Sequence, residues 1–217
     1  RRPDGYVGKP PELGTDAFTV VAGLDTPNNP NYVTNFVTDV SLWKLYESSG
    51  NWWQASRLTG QKYMSPDNTN AENTNTNYKW DYMNGWYVGP YTLSLQMGWH
   101  FKRHAGFDVV TYTGDGVEGR QMPHSLNKTA EMIWVKRRNA DRNWGIYHKG
   151  LNGGTNPEQY AIEFSTDAEY DSSQWNDTAP TATHFSLTQT ATCNANGDTY
   201  IAMLFASVDG ISKVGYY

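Results

Sequence analysis

The sequence contains one pattern written twice. A lysine is followed after eight residues by a tryptophan in each copy, and a Phe-Gly-Tyr series with separations of five and six closes each copy. The matched positions are Lys44 and Trp52 with Lys136 and Trp144, and Phe101, Gly106 and Tyr112 with Phe205, Gly210 and Tyr216. A period near 100 residues exceeds the roughly 20 to 50 of a solenoid repeat and matches a small domain. The repeat therefore predicts two related domains, residues 15–105 and residues 106–217.

Length and composition agree with two domains. A chain of 217 residues can form one large all-β domain or two smaller ones. Nine tryptophans and fifteen tyrosines give enough bulk for two cores. The net charge of −5 disfavours a nucleic-acid partner, because neutralising phosphates needs clustered Lys and Arg. Because no apolar run approaches the roughly 20 residues of a membrane span, no membrane insertion is predicted.

Short runs of β-branched and aromatic residues, bounded by Gly, Pro, Asn and Asp, predict β-strands. They cover residues 18–22, 40–44, 91–95, 109–112, 132–136, 160–164, 184–188 and 199–205. No window holds the apolar spacing of a long helix. The predicted fold class is all-β: two tandem, related antiparallel β-sandwich domains of jelly-roll or lectin-like type.

The first 14 residues differ in kind from the rest. They are rich in Pro and Gly, and Pro10-Pro11 favours an extended conformation. We expect residues 1–14 to form an extended linker, or a strap on a neighbouring domain or subunit. Because the sequence opens without Met and closes partway through the repeat, it looks cut from a longer chain, and a third repeat is expected to follow.

Several stretches resemble a known family. They read GYVGKP, GFDVVTYTG, GGTNPEQY, WNDTAPT, NGDTYIA and LFASVDG, in residues 5–10, 106–114, 153–160, 175–181, 196–202 and 204–210. They are similar to the repeated domain of large virion-associated proteins of marine tailed phages, notably cyanophages. The similarity runs along the whole second copy. The first copy departs from it, with an Asn/Thr-rich loop at 68–77 and no clear Trp-Asn-Asp-Thr equivalent.

The resemblance implies a structural or adhesive component of a virion appendage, such as a tail fibre or spike, that contributes to host-surface recognition. Its implied location is the virion, with assembly in the host cytoplasm. The expected partners are other copies of the chain, with a homotrimer favoured, other virion proteins and a host-surface glycan. The family supplies no catalytic residues. Two alternatives stay open: an enzyme acting on host surface polysaccharide, and a capsid-decorating protein.

The residues themselves give no sign of catalysis. Metalloprotease, nucleophile-elbow, phosphate-loop and CxxC motifs are missing from the sequence. The single cysteine, Cys193, cannot form an intrachain disulfide and has no His close in sequence. His100 and His104 have metal-ligand spacing only on a helix, and on a strand they would share a face but lie far apart. The sequence thus predicts a non-enzyme with no catalytic residue, no metal site and no cofactor.

Acidic residues allow two further functional interpretations, a glycoside hydrolase and a calcium site. Glycoside hydrolysis needs two carboxylates across a cleft, and the sequence cannot place Glu163, Asp167 and Glu169 relative to one another.

The second interpretation is a calcium-binding site. Asp167 with Asp171, or Asp67 with Asn68 and Asn70, could supply hard oxygen ligands to Ca²⁺. Such runs are more often turns in which the side chains bond their own backbone, so the turn reading is favoured.

Two groups of tryptophans are distinguished by context. Trp43, Trp134 and Trp99 lie inside strand patterns and are predicted, with Phe205, to anchor the cores.

The second group lies beside Asn, Gly or Asp, where a flat ring can stack on a sugar face. The candidate carbohydrate-binding residues are Trp175, foremost, and Trp144, Trp86 and Trp52. The recurrence of Asn-Trp in both copies favours a packing role over a shared ligand site.

Overall fold

The structure, a computed structural model, describes residues 13–25, 27–47, 49–104 and 106–216. Nearly all of the segment predicted as a strap, residues 1–14, lies outside these ranges. Regular structure in the described ranges is β-strand with five short 3-10 turns, and no α-helix occurs there. Accordingly, no helix in this part of the chain is long and apolar enough to cross a membrane.

The chain divides into two compact units near residue 105. The first holds residues up to 66 together with 72–104, and the second holds residues 67–71 together with 105–217. The strands of the first unit are β1 Phe18–Ala22, β2 Tyr32–Val33, β3 Val40–Leu45, β4 Trp53–Ser56, β5 Lys62–Met64, β6 Asn73–Thr74, β7 Gly85–Trp86 and β8 Gln96–Phe101. The strands of the second are β9 Phe107–Thr113, β10 Arg120–Pro123, β11 Met132–Arg137, β12 Gly145–His148, β13 Tyr160–Glu163, β14 Tyr170–Asp171, β15 His184–Leu187 and β16 Thr199–Phe205.

The two units have the same strand topology. The large sheet of the first unit runs β1-β8-β3-β4-β5-β6, and that of the second runs β9-β16-β11-β12-β13-β14. A small sheet accompanies each, β2-β7 in the first and β10-β15 in the second, and all pairs are antiparallel. Each strand of one unit therefore has a counterpart eight strands along the chain. The prediction of an all-β fold with antiparallel β-sandwiches is confirmed.

Strand pairing shows which residues are equivalent. Phe101 of β8 pairs with Phe18 and Val40, and Phe205 of β16 pairs with Phe107 and Met132. Counting along β3 and β11 from these pairs makes three matched couples: Leu42 with Trp134, Trp43 with Val135, and Lys44 with Lys136.

Seven of the eight predicted strand segments coincide with strands. The exception is residues 91–95, which form a turn before β8. The Asp25 carboxylate accepts hydrogen bonds from the backbone N–H groups of Leu93 (2.6 Å) and Ser94 (2.8 Å). These bonds hold the chain in a bend, so the alternation of apolar and polar residues there does not produce a strand. They also lower the pKa of Asp25.

The core of the first unit is aromatic. Trp86 is completely buried, stacks on Trp80 at 4.4 Å between ring centroids, and lies 5.1 Å from Trp43. His100 of β8 is also completely buried, 4.8 Å from the Tyr32 ring. Neither of its ring nitrogens has a hydrogen-bond partner among the described residues. The charged imidazolium is therefore disfavoured here, and desolvation lowers the pKa of His100 to about 3.

The core of the second unit lies between its two sheets. It joins alternate residues of β9, β11 and β16 to residues of β10 and β15. Trp175, in the 3-10 turn Ser173–Trp175, fills this core, and its Nε1 donates to the Tyr160 carbonyl at 3.1 Å. Cys193 is completely buried beneath the Thr188 carbonyl, 3.3 Å from Sγ. Burial raises the pKa of the Cys193 thiol to about 11.

Candidate functional site: an aromatic cleft on the second unit

A cleft of about 540 Å³ lies on the outer face of the large sheet of the second unit, the face opposite the core. Strand alternation creates it. Ile133 and Val135 of β11 point into the core, so Met132 and Trp134 point outward. The cleft is completed by Ile146 and His148 of β12, by Gly150 and Leu151 just after it, by Ile162 and Glu163 of β13, by Phe164 and Glu169 after β13, and by Gly215 and Tyr216.

Three aromatic rings give the cleft its apolar surface. Phe164 meets Trp134 edge-on, with centroids 5.0 Å apart and planes at 79°. Buried Trp144 lies 5.8 Å from Phe164 and supports that ring from below the surface. Phe164 is 38% exposed and Tyr216 is 67% exposed, so both rings present area to solvent. Convergent rings of this kind suit an amphipathic ligand with flat apolar faces.

Two carboxylates line the same cleft. Glu163 accepts hydrogen bonds from the Tyr170 hydroxyl, at 3.2 Å, and from the Asn143 side-chain amide. Glu169 accepts a hydrogen bond from the Asn152 backbone N–H at 2.9 Å. These neutral donors hold the carboxylates in place. Each oxygen has two acceptor sites, so the carboxylates retain capacity to accept from hydroxyl groups of a ligand.

A histidine and a lysine border the cleft at the chain end. The His148 ring meets Tyr216 edge-on at 5.9 Å, and its Nδ1 accepts from the Gly150 backbone N–H at 3.0 Å. Desolvation lowers the pKa of His148, so the ring is predominantly neutral at pH 7. The Lys149 ammonium lies 5.2 Å from the Tyr216 ring and forms an ion pair with Glu131 at 2.8 Å. The contacts from His148 and Lys149 position the Tyr216 ring at the rim of the cleft.

Three of the four predicted carbohydrate-binding tryptophans are corrected by the structure. Trp175 and Trp144 are 1% exposed and Trp86 is 0% exposed. A buried ring cannot offer its face to a sugar, and all three serve packing instead. Trp52 is half-buried on the outer face of the first unit, 4.7 Å from Trp99. A glycan contact at Trp52 stays a prediction.

The predicted core anchors need correction as well. Trp43 is buried in the core as expected. Trp134 is half-buried and lines the cleft, and Trp99 is 40% exposed on the outer face of the first unit. Phe205 is half-buried, 4.8 Å from Trp134.

The remaining candidate residues lie in turns or apart from one another. Asp167 accepts from the Ser165 hydroxyl at 3.2 Å, and the Asn68 side chain accepts from the Asn70 backbone N–H at 3.0 Å. Both are local turn contacts. Among the described residues, no group of three or more His, Cys, Asp or Glu could hold a metal ion. Of the carboxylates considered for hydrolysis, the structure brings Glu163 and Glu169 to one cleft.

The fold and the cleft define a tandem β-sandwich protein with an aromatic, carboxylate-lined site in its second unit. The chain belongs to the DUF7483 family, a domain of unknown function, whose model matches residues 67–217. Neither the curated proteins nor the solved structures contain a match to the chain.

Proposed function

We propose that the protein is a structural and adhesive component of a phage virion appendage, and that the cleft of its second unit binds a host-surface glycan. The setting comes from the resemblance of the second copy to virion-associated repeats. The assembly proposed with it is a homotrimer alongside other virion proteins. The observation that carries the binding role is the cleft itself, in which aromatic rings and hydrogen-bonded carboxylates converge.

The chemistry of the cleft supports a sugar ligand. A pyranose has flat C–H faces that pack on rings such as Trp134, Phe164 and Tyr216. Its hydroxyl groups are donors that Glu163 and Glu169 can accept. An acidic lining also disfavours anionic ligands, so we propose a neutral or amino-substituted glycan.

Removing the rim ring tests the binding role. We expect Tyr216→Ala to weaken glycan binding about tenfold, corresponding to about 1.4 kcal/mol, because the ring contributes contact area at the mouth of the cleft. Trp134→Ala should weaken binding further. Binding would be measured first on a glycan array and then by calorimetry with the best glycan.

The control is Tyr46→Ala. Tyr46 is a similarly exposed tyrosine, 54% against 67%, but it belongs to the first unit. Its loss should leave affinity unchanged. Failure of every neutral or amino-substituted glycan to bind, or equal losses in Tyr46→Ala and Tyr216→Ala, would refute the proposed role of the cleft.

A polysaccharide-cleaving enzyme is the second candidate, because Glu163 and Glu169 line one cleft. Hydrolysis needs one carboxyl group as acid and another as base or nucleophile. An assay for new reducing ends separates the two functions. Release of reducing ends that is lost in both Glu163→Gln and Glu169→Gln would establish hydrolysis in place of adhesion. Binding without release would support the adhesin.

A further inference from the structure

The outer faces of the two large sheets differ sharply in exposure at equivalent positions. On the first unit, Val20 and Trp99 are paired neighbours and are 44% and 40% exposed. Their counterparts on the second unit, Val109 and Met203, are also paired and are both 0% exposed. The next row repeats the contrast. Met97 on the first unit is 36% exposed, and its counterpart Ile201 is 0% exposed.

A lysine stands in that next row on both units. Lys136 is completely buried, and its ammonium donates to the carbonyl oxygens of Thr69 (2.9 Å) and Arg142 (2.6 Å). Its counterpart Lys44 is half-buried, and its ammonium lies 6.0 Å from the Trp52 ring. The same position is thus completely buried on one unit and half-buried on the other.

Part of the burial of the Lys136 side chain is due to one loop. Thr69 lies in the loop between β5 and β6, and residues 67–71 of that loop group with the second unit. The Arg142 backbone N–H also donates to Thr69, at 2.8 Å, and the Asp141 carboxylate accepts from the Ala71 N–H at 2.8 Å. Residues 67–71, as part of the second unit, therefore cover part of its sheet face.

The second unit carries the equivalent loop, and it is open to solvent. Met64 pairs with Gln54 as Ile162 pairs with Ile146, and Thr69 and Asp167 each stand five residues further on, in loops that differ in length by one residue. The whole loop 164–169 is exposed. This loop carries the Asp167 carboxylate, whereas the first loop contributes the Thr69 backbone carbonyl. The negative carboxylate is complementary in charge to the Lys44 ammonium.

We propose that the sheet face of the first unit formed by Val20, Met97, Trp99 and Lys44 binds the 164–169 loop of a second copy of the chain. The contact is head-to-tail, and the same contact can repeat from copy to copy. Such a heterologous contact forms a ring if its rotation closes and a filament if it does not. A three-membered ring would be the homotrimer proposed above. The inference thus names a surface for that self-association. The docking loop shares Phe164 and Glu169 with the glycan cleft, so association and glycan binding are measured separately.

Zero-length carbodiimide cross-linking tests the contact, because it joins a lysine to a carboxylate only when the two touch. Protein labelled with ¹⁵N would be mixed with unlabelled protein at up to about 1 mM, where an association of about −4 kcal/mol is detectable. We expect a mixed-isotope cross-link between Lys44 and Asp167, identified by mass spectrometry. Sedimentation should show concentration-dependent association in the same samples.

Variants separate the surface from adventitious contact. Lys44→Glu and Asp167→Lys should each abolish association, and mixing the two variants should restore it. Lys128→Glu makes the same charge change at an exposed position between β10 and β11 and should have no effect. No mixed-isotope cross-link, or association that survives both reversals, would overturn this surface. If a homotrimer persists in both variants, the protein self-associates through a different surface.

Discussion

Replacing Trp175 with alanine is expected to lower the free energy of unfolding of the second unit by about 3 to 5 kcal/mol. The ring is 1% exposed and contacts the core edge-on against Tyr147, at 5.9 Å between centroids. Its Nε1 also donates to the Tyr160 carbonyl. Alanine would leave a large cavity and remove that hydrogen bond. Urea unfolding followed by circular dichroism measures the loss.

Trp134→Ala is the matched comparison, because Trp134 is the half-buried ring that lines the cleft. Its removal empties no core position, and we expect a loss of about 1 to 2 kcal/mol. The sequence alone predicted the reverse order, with Trp134 in the core and Trp175 less buried. Equal losses in the two variants would contradict the distinction between core and cleft.

The reversed order has a simple geometric cause. Strand side chains alternate between faces, so a shift of one residue moves a side chain to the opposite face. The eight-residue spacing from lysine to tryptophan matches Lys44 with Lys136, which makes Val135 the counterpart of core residue Trp43. By that count Trp134 matches outward-facing Leu42. Residues 132–135 are apolar on both faces, and Lys136, two residues after Trp134, is the one polar residue that marks the Trp134 face as the outer one.

A second large effect is expected on acidification. The folded pKa of His100, about 3, lies below the ordinary value of 6.5 that applies to the unfolded chain. The unfolded state then binds more protons as the pH falls below about 6.5, so stability present at neutral pH is lost on acidification. Between about pH 7.5 and about pH 5 this linkage amounts to about 2 kcal/mol. Urea unfolding of the first unit at the two pH values measures it.

The repeat supplies the variant that isolates His100. Its counterpart in β16 is Leu204, which is completely buried. His100→Leu should therefore remove the loss on acidification attributed to the imidazole. His184→Leu, at a half-exposed position of the second unit, should leave the loss in place. An unchanged pH dependence in His100→Leu would exclude the imidazole as its source.

The sequence predicted more of the fold than of the candidate site. Strand composition and the internal repeat depend on local residues, and both predicted the β architecture. The cleft depends on Phe164 and Tyr216, which are brought beside Trp134 only by strand order and by the path of the chain end. The pairing of β13 with β12 places Phe164, and no local pattern reveals that pairing. Trp144 was selected as a ligand contact because an Asn-Trp pair resembles an exposed turn.

Because Cys193 is buried, the reactivity of its thiol reports on opening of the second unit. The Cys193 thiol is completely enclosed, and the neighbouring Tyr112 hydroxyl donates to the Cys193 carbonyl at 2.8 Å. A thiol reagent can reach Sγ only when this core opens, and Cys193 is the one cysteine in the sequence. The rate of thiol labelling would therefore track opening of the second unit without an introduced probe. Ligands that occupy the cleft should slow that labelling, which makes the thiol a sensor for unknown receptors.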